Sequence, residues 1–132
     1  MYEIRKNTTL KQTILPYHES MKKKYFMLHK ELFYTDMSVD EILVYAYLVD
    51  KRNLSQFKAD NDDLTYVCFE ENDVYIVVSN QELMDFMKIK GKPKIIAIKK
   101  MLEDRGLIKQ VRQFDNSNKI YVYDYEFESI EK

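Results

Sequence analysis

The chain has little cysteine, glycine or proline: Cys68 is its only cysteine, and glycine and proline occur twice each in 132 residues. A single cysteine excludes an internal disulfide and the four-cysteine sites of structural zinc, and it favours a reducing cytoplasm as the setting. So few glycines and prolines disfavour a long flexible linker or a low-complexity segment. Long apolar runs are missing too, so the sequence predicts neither a membrane span nor a signal peptide.

Motifs of catalysis are also missing from the sequence. Its two histidines, His18 and His29, have no serine or cysteine nearby in a nucleophile motif. A glycine-rich phosphate loop and metal-ligand spacings are absent, and the acidic run at residues 60–63 is typical of a solvated loop. We therefore expect no catalytic residue, no metal site and no cofactor, and we do not expect an enzyme.

What the chain does contain is enough apolar material for a core and an uneven distribution of charge. Hydrophobic residues make up 45% of the chain and aromatic residues 14%, too much for a disordered segment. The net charge is −1, yet residues 88–112 hold nine basic residues against two acidic ones, a balance of +7. Residues 31–87 hold three basic residues against thirteen acidic ones, a balance of −10. A phosphate backbone responds to the local patch more than to the chain average.

The basic stretch and the residues before it have the element order of a helix-turn-helix. Residues 79–88 predict a short helix, capped by Ser79 with Glu82 three residues later. A tight break follows in IKGKP, and then a second helix that starts at residue 91 or 92 and ends at Gly106. Spacings of three and four residues place the apolar side chains of this second helix on one buried face: Ile95, Ile98 and Leu102.

The opposite face of the second helix is the candidate recognition surface. At about 100° per residue it holds Pro93, Ile96, Ala97 and Lys100, with Lys94 on one flank. An isoleucine on an outer face needs something to cover it, such as a thymine methyl group or a partner subunit. We expect Lys94 and Lys100, with Ile96 and Ala97 between them, to approach base edges in a DNA major groove.

Two alternating segments, residues 107–114 and 119–125, flank the sequence DNSN and predict a hairpin directly after the second helix. In a winged helix-turn-helix this hairpin is the wing. Two interpretations of DNSN stay open: a simple turn of good turn residues, or a wing tip that reaches sugar and phosphate. Phosphate contacts are expected from Lys92 and Lys99 on the helix. On the wing, the candidate residues are Arg112, Asn116, Ser117, Asn118 and Lys119.

Upstream of these elements, Ser38 and Glu41 form a capping-box pattern that predicts a helix closing at residues 50–52. A polar surface loop is expected at residues 53–63, followed by an additional hairpin from two β-rich segments, residues 64–69 and 74–78. The apolar residues 25–33 predict either a strand edge or a lead-in packed on the core. The methionines of residues 79–87 are expected to fill the core.

Together these patterns predict an α+β fold, a winged helix-turn-helix with an additional β-hairpin and an N-terminal extension. We expect an N-terminal arm at residues 1–24, a winged-helix DNA-binding domain at residues 25–125 and an acidic tail at residues 126–132 that frays. The lysines at residues 22–24 are either a solvated patch or a second element that contacts phosphate.

From residue 25 to residue 123 the chain resembles the N-terminal domain of the RepA_N replication initiators of Gram-positive plasmids. The resemblance is carried, in order, by YFMLHKELF, MSVDEILVYAYLVDKR, DVYIVVSNQELMDFM, KPKIIAIKKMLEDRGLI and NKIYVYD. Two places depart from the family pattern. Where the family often has Asp-Arg this chain has DKR, with Arg52 as the equivalent arginine, and the segment at residues 56–63 is unusually acidic.

The resemblance implies specific binding of double-stranded DNA at repeated origin sites (iterons) during initiation of plasmid replication, by a homodimer. It also implies a further C-terminal domain that recruits host replication proteins. The chain stops before such a domain could fit, so we expect a fragment or a truncated member. From the residues alone, a winged-helix transcriptional repressor and a protein–protein interaction module stay open as alternatives.

Overall fold

The computed structural model describes residues 2–6, 27–112 and 118–129. These residues form both helices and antiparallel sheets, which confirms the predicted α+β class and the winged-helix-like order of elements. The helices are a 3-10 helix (Lys30–Tyr34), α1 (Val39–Asp60), α2 (Asn80–Met87) and α3 (Lys92–Asp104). The strands are β1 (Tyr2–Lys6), β2 (Val67–Cys68), β3 (Asp73–Val74), β4 (Ile76–Val77), β5 (Ile108–Arg112), β6 (Asn118–Val122) and β7 (Tyr125–Ser129).

Helix α1 begins with the predicted capping box. The Ser38 hydroxyl accepts a hydrogen bond from the Glu41 backbone N–H at 3.2 Å, and the Glu41 carboxylate accepts one from the Ser38 N–H at 3.0 Å. These two bonds satisfy N–H groups that have no partner inside the helix. The helix then continues to Asp60, so the predicted end at residues 50–52 and the predicted loop over residues 53–60 are wrong.

The length of α1 has a local and a tertiary cause. Residues 53–60 contain no glycine or proline that would end a helix. Asn53 and Ser55 are buried, and Gln56 Nε2 donates to Asp60 Oδ1 one turn later at 2.9 Å. Asn53 and Ser55 therefore face the packed side of a long helix, a burial that composition alone does not reveal.

Replacing Ser38 by alanine is expected to lower the free energy of unfolding by about 1 kcal/mol, because the Glu41 N–H loses its acceptor. Urea denaturation followed by circular dichroism measures the loss. Ser38→Thr keeps a hydroxyl at the same position and is the matched control. Equal losses for the two variants would show that the hydroxyl does not act as a cap.

The additional hairpin is present, with shorter strands than predicted. β2 and β3 pair antiparallel, with Val67 opposite Val74 and Cys68 opposite Asp73. Their turn occupies residues 69–72, and Asn72 has a φ of 53°, a left-handed conformation that asparagine tolerates. The second predicted strand is divided, because the chain leaves β3 and enters a different sheet as β4.

A three-stranded antiparallel sheet carries the predicted wing. Its strand order is β4-β6-β5, and in the register Ile120 of β6 lies between Ile76 of β4 and Gln110 of β5. The predicted hairpin after the second helix is therefore confirmed in β5 and β6. Its tip, residues 113–117, lies outside the described residues.

The chain's two ends meet in a separate two-stranded sheet. β1 pairs antiparallel with β7, with Ile4 opposite Phe127 and Arg5 opposite Glu126. The prediction that the tail frays from residue 126 is therefore wrong. In the sequence, residues 125–128 alternate aromatic and acidic residues, which is the period of a strand. The lysines at residues 22–24 lie outside the described residues.

The core is built mainly by α1, α3 and the three-stranded sheet. Leu32 of the 3-10 helix is also buried, so the segment before α1 is a lead-in packed on the core rather than a strand edge. Met84 and Met87 of α2 pack against the core as predicted. The largest fully buried side chains are Tyr45, Ile42, Leu48, Leu83, Ile95, Leu102, Leu107, Ile108, Ile120, Val44 and Val122. In the part of the chain that the structure describes, each helix is too short or too polar to span a membrane.

Candidate nucleic-acid interface

Helices α2 and α3 form the predicted helix-turn-helix. Ser79 caps α2 by accepting from the Glu82 N–H at 3.0 Å, while the Glu82 carboxylate bonds to Lys51 and to the Tyr47 hydroxyl on α1. Lys88 closes α2 in a left-handed conformation with a φ of 57°. The turn then leads through Gly91, the N-cap of α3, into a first turn that contains Pro93.

The buried face of α3 is the one predicted. Ile95 and Leu102 have no solvent exposure and Ile98 is 7% exposed, so these three side chains fix the rotation of the helix about its axis. At its end, Gly106 adopts a φ of 78°, and the Leu107 N–H donates to the Leu102 carbonyl at 3.0 Å. This closure turns the chain directly into β5, so that the wing follows the helix without a linker.

The outer face of α3 is open to solvent, as the helical spacing predicted. Ile96 is 47% exposed and the Lys100 side chain 74% exposed. All residues predicted for this face are exposed, as are the flanking Lys94 and the predicted phosphate contact Lys92; the full set is Lys92, Pro93, Lys94, Ile96, Ala97 and Lys100. The structure thus gathers these residues on one accessible surface, hereafter the outer face of α3, while their contacts with DNA stay a prediction.

Lys99 departs from the predicted arrangement. It is only 6% exposed, and burial lowers the pKa of its ammonium group, an effect that nearby Lys92 strengthens and Glu103 opposes. Most of the Lys99 side chain is covered, so it offers a duplex less surface than the exposed lysines of α3. Lys99 therefore does not belong to the exposed set, and its phosphate contact stays a prediction.

Arg105 also does not belong to the basic surface, although it contributes to the +7 balance. Its guanidinium Nε donates to Glu41 at 2.7 Å and its Nη1 donates to Asp36 at 2.7 Å. These bonds tie the end of α3 to the start of α1. Arg52 is used in a similar way, since it is buried and bonds to Asp73 of β3 at 3.0 Å. Both arginines therefore position elements of the fold.

Lys94 and Lys100, two lysines of the outer face, each form an ion pair with a carboxylate of the same chain. Lys94 Nζ lies 3.2 Å from Asp40 on α1, and Lys100 Nζ lies 3.7 Å from Asp104 one turn along α3. All four side chains are at least 37% exposed, so these pairs are weak and exchange with water and salt. A phosphate or a base edge can displace either carboxylate at little cost.

The structure describes three of the predicted wing residues, Arg112, Asn118 and Lys119. Arg112 ends β5 on the exposed side, opposite half-buried Asn118 in the register. Lys119 is half-buried, with its ammonium group 4.5 Å from the centre of the Tyr75 ring, a cation–π contact. Asn116 and Ser117 lie outside the described residues, so the two interpretations of the DNSN tip stay open.

The outer face also contains residues that the sequence analysis did not single out. Met101 is 44% exposed and Asp104 has a side chain that is 58% exposed. The same 100° rule that selected Lys100 places both on this surface, within about one turn of it. Exposed Lys88 and Lys90 extend the basic surface into the turn before the helix.

Comparison with known proteins agrees with this geometry. Residues 23–132 match the family described as "Replication initiator protein A (RepA) N-terminus", called RepA_N. No curated protein matches the chain. Solved structures that resemble it include one titled "N-Terminal domain of DNA binding protein", with 30% sequence identity, a TM-score of 0.58, and coverage of 80% of this chain and 79% of that chain.

Two further structures are similar to the same extent. "Structure of Rep-DNA complex" has 30% identity and a TM-score of 0.58, covering 80% of this chain and 79% of that chain. "Structure of MDR initiator" has 29% identity and a TM-score of 0.57, covering 80% of this chain and 81% of that chain. The family match extends over far more than half of the sequence, and the chain therefore belongs to the RepA_N family of replication initiators.

Proposed function

We propose that this protein binds double-stranded DNA sequence-specifically at repeated origin sites (iterons) and thereby initiates plasmid replication. The observation that carries the proposal is the outer face of α3, on which Lys94, Ile96, Ala97 and Lys100 are all exposed. Further support comes from the similarity to a chain whose structure is titled "Structure of Rep-DNA complex". A major groove about 12 Å wide admits one α-helix, and α3 offers the exposed surface for it.

In this proposal the exposed residues divide into two groups by role. Lys94 and Lys100 donate to base acceptors, and Ile96 contacts a thymine methyl group, a pairing that would explain an isoleucine left uncovered. Phosphates are held by Lys92 at the start of α3 and by Arg112 on the wing. Lys119 joins them once it leaves the Tyr75 ring.

The proposal extends to assembly and setting. Repeated sites suit a homodimer, which would bind two half-sites at once. Host replication proteins would be recruited by a C-terminal domain, as the family resemblance implies, and the setting would be the cytoplasm. The role is one of binding rather than catalysis. Among the described residues no cluster of histidine, cysteine and acidic side chains could hold a metal ion.

The salt dependence of binding tests the electrostatic part of the proposal. The three phosphate contacts named above would give a slope of roughly −3 per subunit in a plot of log binding constant against log salt concentration, at about −0.9 per contact. Mobility-shift titrations with repeated origin DNA and with a scrambled duplex, each at several salt concentrations, measure this slope. The expected result is tighter binding to the repeats together with a steep slope on both duplexes.

Exposed Ile96 and Met101 also suit a second candidate, a protein–protein interaction module, since apolar side chains on an outer face are common in protein interfaces. The same titration separates the two. No binding of duplex DNA at low salt would favour the protein partner and contradict the proposal. Equal affinity for repeats and scrambled DNA would leave non-specific binding and contradict the role at iterons.

A further inference from the structure

We infer that Asp104, together with Lys100, is a specificity-determining residue that reads a G·C base pair. This inference rests on the proposed binding of α3 in a major groove. The Asp104 carboxylate lies on the surface that would face DNA. Phosphates repel a negative charge there, and a hydrogen bond donated by a base would offset this repulsion. The position and environment of Asp104 carry the argument.

Asp104 lies on the same side of α3 as Lys100. Residues four apart on a helix differ by about 40° in direction and about 6 Å in height, so the two side chains are neighbours on the outer face. Both are well exposed, Lys100 at 74% and Asp104 at 58%, and Lys100 Nζ lies 3.7 Å from Asp104 Oδ1. A base pair that contacts Lys100 would therefore also lie within reach of Asp104.

The stability of the helix does not explain this pair. Asp104 is in the last turn, where the helix dipole disfavours a negative charge. Lysine four residues before an acid is also the less favourable order for an ion pair on a helix. A separation of 3.7 Å is too long for a hydrogen bond, and at this exposure the pair contributes little.

The neighbouring acid Glu103 provides a contrast within the same turn. Its carboxylate accepts from the Gln110 backbone N–H at 3.0 Å and so joins the end of α3 to β5. Within the described residues, the contact found for Asp104 is the loose one with Lys100. Glu103 therefore joins two elements of the fold, whereas Asp104 is held only by a loose ion pair and can accept a hydrogen bond from a ligand on the outer face.

The pair matches the pattern that a G·C base pair presents in the major groove. Guanine offers the acceptors N7 and O6, and cytosine offers its N4 amino group as a donor. Guanine O6 and cytosine N4 are hydrogen-bonded to each other, so they lie about 3 Å apart. The ammonium of Lys100 and the carboxylate of Asp104, 3.7 Å apart, provide the complementary donor and acceptor at a similar spacing.

The test is selection of bound sequences from a duplex library with a randomised segment, using the whole chain and its Asp104→Ala and Asp104→Asn variants. The unchanged chain is expected to select a consensus with a G·C pair at one position where replacement by A·T weakens binding roughly five- to 150-fold, the range of one mismatched base pair. Asp104→Ala should weaken the preference at that position alone, because Lys100 still donates to the guanine. Asp104→Asn should also accept adenine there, because an amide pairs with adenine N6 and N7.

A matched control is Asp85→Asn, an exposed carboxylate on α2 that bonds to Gln81 at 2.9 Å, which should select the unchanged consensus. A consensus that is identical for the unchanged chain and both Asp104 variants would overturn the role of Asp104 and leave the proposed function intact. If the unchanged chain selects no consensus, the proposed function fails first, and the inference falls with it. Urea denaturation of each variant confirms that the compared proteins are folded.

Discussion

Replacing Arg105 by alanine is expected to lower the free energy of unfolding by about 3 kcal/mol or more, because it leaves a buried carboxylate without its cation. Arg105 donates to Glu41 and to Asp36, each at 2.7 Å. Its side chain is 13% exposed and that of Glu41 only 8%. The guanidinium therefore holds the start of α1 against the end of α3, and its loss removes the clamp as well as the charge. Urea denaturation measures the change.

The matched control for this prediction is Asp36→Asn at the other end of the same guanidinium. The Asp36 side chain is 62% exposed, so breaking that pair should change stability by less than about 1 kcal/mol. Glu41→Gln removes the buried negative charge, while its amide oxygen can still accept the hydrogen bond from the Ser38 N–H in the capping box. If Arg105→Ala and Asp36→Asn were equally mild, the buried pair would not be a principal support of the fold.

The same cluster predicts how stability depends on pH. Burial tends to raise the pKa of Glu41, but hydrogen bonds from Arg105 and Ser38 outweigh it and hold the pKa below the ordinary value of 4.5. A carboxyl group whose pKa is lower in the folded state stabilises the protein above the unfolded pKa, and this contribution is lost as the pH falls through the folded pKa. The stability of the unchanged chain should thus fall below pH 4.5. Glu41→Gln lacks this carboxyl group, so the free energy of unfolding of that variant should fall less over the same pH range.

The helix-turn-helix was predictable because its signals are local. Ser79 before α2 and Gly106 after α3 mark helix ends by their own chemistry, and three- and four-residue spacing identifies the buried face of α3. The outer face then follows from the helical period alone. No knowledge of the surrounding fold is needed for these steps, which is why the exposed face of α3 was predicted correctly.

The structural features that the sequence did not predict depend on contacts between residues that are far apart in the chain. Arg105 looks like part of a basic surface until Glu41, 64 residues earlier, is seen beside it. Lys99 is next to Ile95 on the helix wheel, about 40° away, so its burial depends on what packs against that edge. The pairing of β1 with β7 joins the two ends of the chain, and a local pattern does not reveal such a contact.

Reversing the charge of both Lys94 and Lys100 to glutamate is expected to weaken DNA binding by about 100- to 10,000-fold. Each lysine is assigned a charge-assisted hydrogen bond, which contributes about 1.5–3 kcal/mol, and every 1.4 kcal/mol corresponds to a tenfold change in affinity. Both side chains are at least 60% exposed, so the fold should be unaffected. Mobility shift at fixed salt measures the affinity, and urea denaturation checks the fold.

The control for charge reversal is Lys58→Glu near the far end of α1. Lys58 is 18 residues from Asp40, which contacts Lys94, and at 1.5 Å per residue the separation along the helix is about 27 Å. That exceeds two Debye lengths at 0.1 M salt, each about 10 Å, so affinity should change less than about threefold. Equal weakening by the Lys58 variant and the double variant would mean that net charge, rather than the outer face of α3, governs binding. Lys100→Ala refines the test, because a lysine that reads a base should lose more affinity for repeats than for scrambled DNA.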